Sequence, residues 1–273
     1  MTRAGRERLT VQLPLWLIAA VAWAGMVAAA SGVALPAICS VASASAASPF
    51  AVTVTLPTRA SLDLALALNP PAGLLAGFAL MLAGMMAPLL GAPLRHVRDR
   101  SFPRRRTRAV GLFLAGYGAV WVQAGIVLLA LTLGVRLVLP ASMLPLLAGL
   151  VGAFVWQASP AKQRCLNRCH AAVPLAPFGR TADLSVLRYG VVHGLWCIGA
   201  CWALMLLPLL ATGGHLAVMA AVSLWLLAER LEGPQPPRWR LRVPAKALLL
   251  ATTALRPRGQ GPRPGGAAFS RGR

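Results

Sequence analysis

"RHVRDRSFPRRRTRAVGLFLAGYGAVWVQAGIVLLALTLGV", Arg95 to Val135, falls into two parts of opposite character. Up to Arg108 it holds seven arginines, and from Ala109 to Val135 it holds no charged residue. About twenty apolar residues in a helix cross the roughly 30 Å hydrocarbon core of a bilayer, and basic residues gather on the cytoplasmic flank of such helices. The stretch therefore reads as an inner loop running into a transmembrane helix. The rest of the chain follows the same plan. Hydrophobic residues make up 58% of the 273 and charged residues 12%, about half the charged fraction of soluble domains.

Six spans are predicted, over about 11–34, 72–93, 109–134, 140–157, 185–211 and 214–230. The connecting segments alternate between basic and bare. Arg3, Arg6 and Arg8 precede the first span, and Arg59 alone lies between the first two. After the arginine-rich loop comes Arg136 alone, then Lys162, Arg164, Arg168 and Arg180 together, then no basic residue, and finally a crowded tail. The positive-inside rule then puts both termini in the cytoplasm of a bacterial inner membrane. The first span ends in the small residues of "SVASASAAS" but is longer than a signal peptide's core, so it is expected to stay as an anchor. Residues 1–232 form the transmembrane domain; residues 233–273, rich in Pro, Gly and Arg, are expected to be a mostly disordered basic tail, with "AKALLLATTAL" as one short surface helix. The net charge of +21 does not indicate a nucleic-acid partner, because its carriers flank apolar runs, where they meet the lipid bilayer.

Chemistry concentrates in two places. In "HGLWCIGACWALM" the residues His193, Cys197, Cys201 and Met205 recur at every fourth position, which makes a slowly curling stripe on one helix. Imidazole, thiol and thioether are the ligands of copper(I), and the first two also suit zinc. Against this, Cys and Met are ordinary apolar filling in membrane helices, although a histidine at that depth is costly and tends to mark function. In "SPAKQRCLNRCH" Ser159 caps and Pro160 opens a short helix, on which Cys165 and Cys169 share a face with His170 beside them. Neither cysteine pair is expected to close on itself as a disulfide. Cβ atoms four apart on a helix are about 5–6 Å apart, and a disulfide needs about 3.5–4.5 Å. Met81 and Met85 form a third patch in the second span, which joins the thiols if the second and fifth spans touch. Glu229 and Glu232 are expected to pair with Arg230 or Arg238. Tyr117, Trp121 and Gln123 read as packing or interhelical hydrogen-bonding groups, and Cys39, Asp63 and His215 as incidental. No nucleophile–base or acid–base pair stands out, so the protein is not expected to be an enzyme.

"MLAGMMAPLL", "LFLAGYGAVW", "VWQASPAKQRCLNRCH", "HGLWCIGACWALM" and a closing "AER", taken together, resemble a bacterial family of predicted metal-binding integral membrane proteins whose members are sometimes labelled copper chaperones. The resemblance covers roughly residues 74–232. It implies that Cys165, Cys169, Cys197 and Cys201, with Met85 and Met86, belong to the family's pattern. Ala200 stands where a further cysteine is common, His170 where arginine is, and Trp156-Gln157 where Tyr-Gln is.

The resulting expectation is an all-α polytopic protein of six transmembrane helices that binds a soft metal, copper(I) or else zinc. Cys165, Cys169 and His170 would form a cytoplasmic docking site. His193, Cys197, Cys201, Met205, Met81 and Met85 would form a second site inside the bundle. The task would be delivery to a cuproenzyme or periplasmic copper carrier, or movement across the membrane. A transmembrane thiol–disulfide redox protein and a metal-free assembly subunit are the alternatives.

Overall fold

A computed structural model describes residues 3–31, 71–139, 143–211, 213–242 and 244–246. Cys39, Asp63 and most of the expected tail helix lie outside these residues. Among the described residues every regular element is helical: α1 (Arg3–Ala30), α2 (Pro71–Met86), α3 (Gly91–Asp99), α4 (Arg106–Val138), α5 (Leu144–Ala158), α6 (Pro160–Cys169), α7 (Gly179–Leu210) and α8 (His215–Leu231). Tight 3₁₀ turns at Ala87–Leu90 and Pro103–Arg105 lead into α3 and α4. At the first of these Pro88 lacks the N–H that an α-helix would use, so α2 does not run unbroken into α3.

Four segments are long and apolar enough to cross a membrane: Leu9–Ala30, Pro71–Asp99, Pro103–Val135 and Gly179–Leu210. The spans expected at 140–157 and 214–230 take a different form. α5 has only 15 residues, and α6 follows it at a bend of 68°, so that the pair together would make a fifth crossing. The bend is local chemistry. Ser159 is extended (φ −72°, ψ 145°), its side chain accepts a hydrogen bond from the Lys162 N–H, and Pro160 opens the new helix. α8 has 17 residues, the lower limit of a span. The outward faces are apolar, with Val21, Val127 and Val151 each at least 65% exposed. Such a surface suits hydrocarbon better than water.

α7 is the hub, packed on α4, α5, α6 and α8, while α2 packs chiefly on α1 and α4. The α4–α7 contact depends on absent side chains. A Cβ at Gly116 would sit 2.6 Å from the Leu187 carbonyl oxygen, and one at Gly190 would run into the Phe113 carbonyl. Small residues let helix backbones approach and pack in lipid.

One end of the bundle collects the basic segments. Arg105 and Arg108 both pair with Asp183 at the start of α7, and Phe102 stacks on Phe178 with centroids 5.3 Å apart. His96 Nε2 lies 2.8 Å from the Val173 carbonyl oxygen. Residues 233–242 have no helix, yet they are tied to the same end. Asn167 donates to the Gln235 carbonyl at 2.7 Å and accepts from its N–H at 3.2 Å, and the Arg240 N–H donates to the Ala158 carbonyl.

Candidate functional site

α6 supplies Cys165 and Cys169, and α7 supplies Cys197 and Cys201. The two helices lie directly against each other. Cys165 Sγ faces Gly199, where an added Cβ would come within 2.6 Å of the sulfur, so a glycine between the α7 cysteines is what admits the α6 thiol. Trp156, at the end of α5, donates its indole N–H to the Gly199 carbonyl at 3.0 Å and pins the same spot from the other side. All four are free cysteines; Cys165 is half-buried and the other three are buried.

Cys197, 1% exposed, is the best-connected of them. It shares a hydrogen bond with the Tyr117 hydroxyl at 3.5 Å and accepts one from Arg230 Nη2 at 3.4 Å. Cys201 donates its S–H to the Cys197 carbonyl at 2.9 Å. Cys169 is buried one turn along α6 from Cys165. Thiols that the sequence divides between a loop and a membrane helix thus share the α6–α7 interface, with the Arg230 guanidinium on Cys197.

The remaining expected residues are distributed around this point. His193 is buried one turn before Cys197, its ring framed by Phe113, Tyr117 and Tyr189 at centroid distances of 5.9, 6.1 and 5.8 Å. Met205 is fully buried one turn beyond Cys201. His170 caps α6 at the surface, with Nδ1 2.9 Å from the Leu166 carbonyl and Nε2 3.4 Å from the Arg230 carbonyl. Met81 and Met85 are buried in the common core, but α2 has α1 and α4 as principal neighbours, so the packing does not make the second and fifth spans a shared seam. Among the described residues, no three or more His, Cys, Asp and Glu side chains stand together in an arrangement that would hold an ion.

One ion pair was misread from sequence. Glu229 does not pair with Arg230. It forms a buried ion pair with Lys162 and accepts from Trp225 Nε1 at 2.8 Å and Gln157 Nε2 at 3.1 Å. Adjacent residues on a helix project about 100° apart, so Glu229 faces α6 and Arg230 faces the thiols. Tyr117 is an interhelical hydrogen-bonding group, its hydroxyl sharing a hydrogen bond with Cys197. The motif "AER" was the sole sequence signal for Arg230.

These features define an α-helical protein with bilayer-length apolar helices and a buried group of free thiols at a helix interface. A family described as "PpoB2: Copper chaperone" matches residues 75–255, and the chain belongs to that family. The match runs past α8 into the segment bonded to α6. No curated protein and no solved structure matches the chain.

Proposed function

We propose that this protein is an integral membrane copper(I) chaperone or transport protein, not an enzyme, which carries copper as cargo and releases it to a cuproenzyme, to a periplasmic copper carrier or across the membrane. The observation that carries this reading is the packing of α6, which carries Cys165 and Cys169, onto α7 with Cys165 against Gly199, between Cys197 and Cys201. The donor set fits the cargo. Thiolates take zinc as well as copper(I), and family membership favours copper. Bare charge in lipid is very costly, so copper moves by exchange between ligands. His170 stands at the surface end of that route, and His193 and Met205 lie along α7 on either side of the cysteines. Met81 and Met85 would serve as a separate thioether patch.

The proposed setting is the inner membrane, crossed six times with both termini in the cytoplasm. The gathering of the turn at 95–108, the start of α7, α6 and the segment after α8 at one end of the bundle supports it. An even number of crossings must separate any two of these segments.

Anaerobic titration of the detergent-purified protein with copper(I), against a competing chromophoric chelator, tests the function. Wild type is expected to bind, and the variant with Cys165, Cys169, Cys197 and Cys201 all changed to Ser is expected not to. Equal binding by the two proteins defeats the proposal.

A further inference from the structure

α6 has 10 residues, short of the roughly 12–15 at which a lone helix begins to hold together in water. It has to be held from outside, and two of its sides differ. Cys165 and Cys169 share one side, with Cys165 against Gly199 of α7. Asn167 is two residues from each of them and so about 160° around the helix, on the side turned away from that contact. The segment that follows α8 lies there.

Residues 233–242 contain no helix or strand, and they are fastened through their backbone. The Asn167 carboxamide donates to the Gln235 carbonyl at 2.7 Å and accepts from the Gln235 N–H at 3.2 Å, as a neighbouring strand would. Gln163, one turn back, donates to the same Asn167 oxygen at 2.7 Å and fixes the orientation of the amide. The Arg240 N–H reaches the Ala158 carbonyl at 3.0 Å, one of the carbonyls that the end of α5 leaves without a helical partner. The segment is thus tied down at both ends of α6. It is also braced from within. Pro236 and Pro237 restrict its backbone, and Arg242 Nη2 donates to the Pro236 and Arg238 carbonyls at 3.1 and 2.9 Å. The Lys246 N–H then returns to Glu232 Oε1, at the end of α8, at 2.7 Å. All of these residues fall inside the family match, which continues to residue 255.

We propose that residues 233–242 are a latch that presses α6 onto α7 and governs access to the Cys169 thiol. With the latch seated, Cys169 is buried. With it lifted, α6 keeps contacts such as the Lys162–Glu229 pair but swings outward and presents Cys165 and Cys169 together at that end of the bundle. On the copper reading above, on which its purpose rests, this is the step in which α6 takes the ion from a donor or gives it to an acceptor. A few hydrogen bonds suit that task. Each adds little net stability, so local opening costs far less than unfolding the bundle.

Alkylation of the detergent-purified, metal-free full chain, followed cysteine by cysteine by mass spectrometry, tests the latch, with helix content recorded for each protein. Asn167→Ala removes both bonds to Gln235 and keeps a strong helix former in α6. It is expected to speed alkylation of Cys169 by about tenfold, while Cys197 and Cys201 react at the wild-type rate. Gln235→Ala is expected to change nothing, because the bonds go to the backbone of that residue. Gln235→Pro loses the N–H and is expected to speed Cys169 as Asn167→Ala does, by a smaller factor. A well-folded Asn167→Ala or Gln235→Pro protein whose Cys169 reacts at the wild-type rate overturns the latch. So does a Gln235→Ala protein that matches Asn167→Ala, and so does an equal rise at Cys169, Cys197 and Cys201, which would be a general loosening of the bundle. The readout uses no copper, so its failure leaves the four-cysteine titration standing. A wild type that binds no copper leaves the latch in place and removes only its copper-handling purpose.

Discussion

A methyl group at Gly190 would be driven into the Phe113 carbonyl, whereas one at Gly118, on the same α4–α7 pair of helices, would meet nothing within 4 Å. Gly190→Ala should therefore destabilise the protein by about 1–3 kcal/mol through overpacking. Gly118→Ala should be neutral or stabilising by up to about 1 kcal/mol, since alanine is the better helix former. Thermal unfolding in detergent separates the two, and equal effects would mean that α4 and α7 do not approach so closely. Glu229 is the second residue-scale case. Glu229→Gln leaves the Lys162 ammonium buried without its carboxylate and should cost about 3–5 kcal/mol, while replacing Lys162 by Met and Glu229 by Leu together should restore much of that loss. Sequence spacing exposed neither effect. Both depend on which residues across the bundle face each other, and in an apolar chain every helix face looks alike to pattern reading.

α6 shows what local chemistry does make legible. Ser159 and Pro160 announce its first turn, and the helix begins there, with the Ser159 hydroxyl accepting from the Lys162 N–H at 3.1 Å. Ser159→Ala should cost about 1 kcal/mol of stability and loosen α6 from α7. The loosening would appear as faster alkylation of Cys169, followed by mass spectrometry. In wild type Cys165 should react first and Cys169, Cys197 and Cys201 slowly, following their exposure; a reversed order would mean that α6 does not pack as described. The stripe His193, Cys197, Cys201, Met205 was legible for the same reason, since helical period alone sets it. Its partners were not. Met81 and Met85 share its sulfur chemistry but sit on a helix packed elsewhere, and Arg230 arrives from α8 with only "AER" to mark it.

At the scale of the whole molecule, the long uncharged runs carried the reading of the chain as a membrane protein and the alternation of basic and bare segments its orientation, because desolvation of arginine is an effect large enough to survive without knowledge of packing. Helix lengths were less legible. The fourth span is broken at Ser159, and α8 stops at 17 residues, so length and composition support four crossings outright while the basic end of the bundle favours six. The Arg105–Asp183 and Arg108–Asp183 pairs hold the turn before α4 and the start of α7 at one end, and two crossings must then lie between them. α4 supplies one, which leaves α5 with α6 as the other despite the 68° bend. The bonds from Asn167 and Ala158 to residues 235 and 240 require the same of α7 and α8. Reporter fusions in a bacterial host should therefore read periplasmic after Leu139 and after Gly213, and cytoplasmic after Ser101, Val173 and Leu241. A cytoplasmic signal after Gly213 would show that α8 does not cross, and a periplasmic signal after Val173 would show that α5 and α6 turn back within the bilayer, which would also put Cys165 and Cys169 out of reach of copper from the cytoplasm.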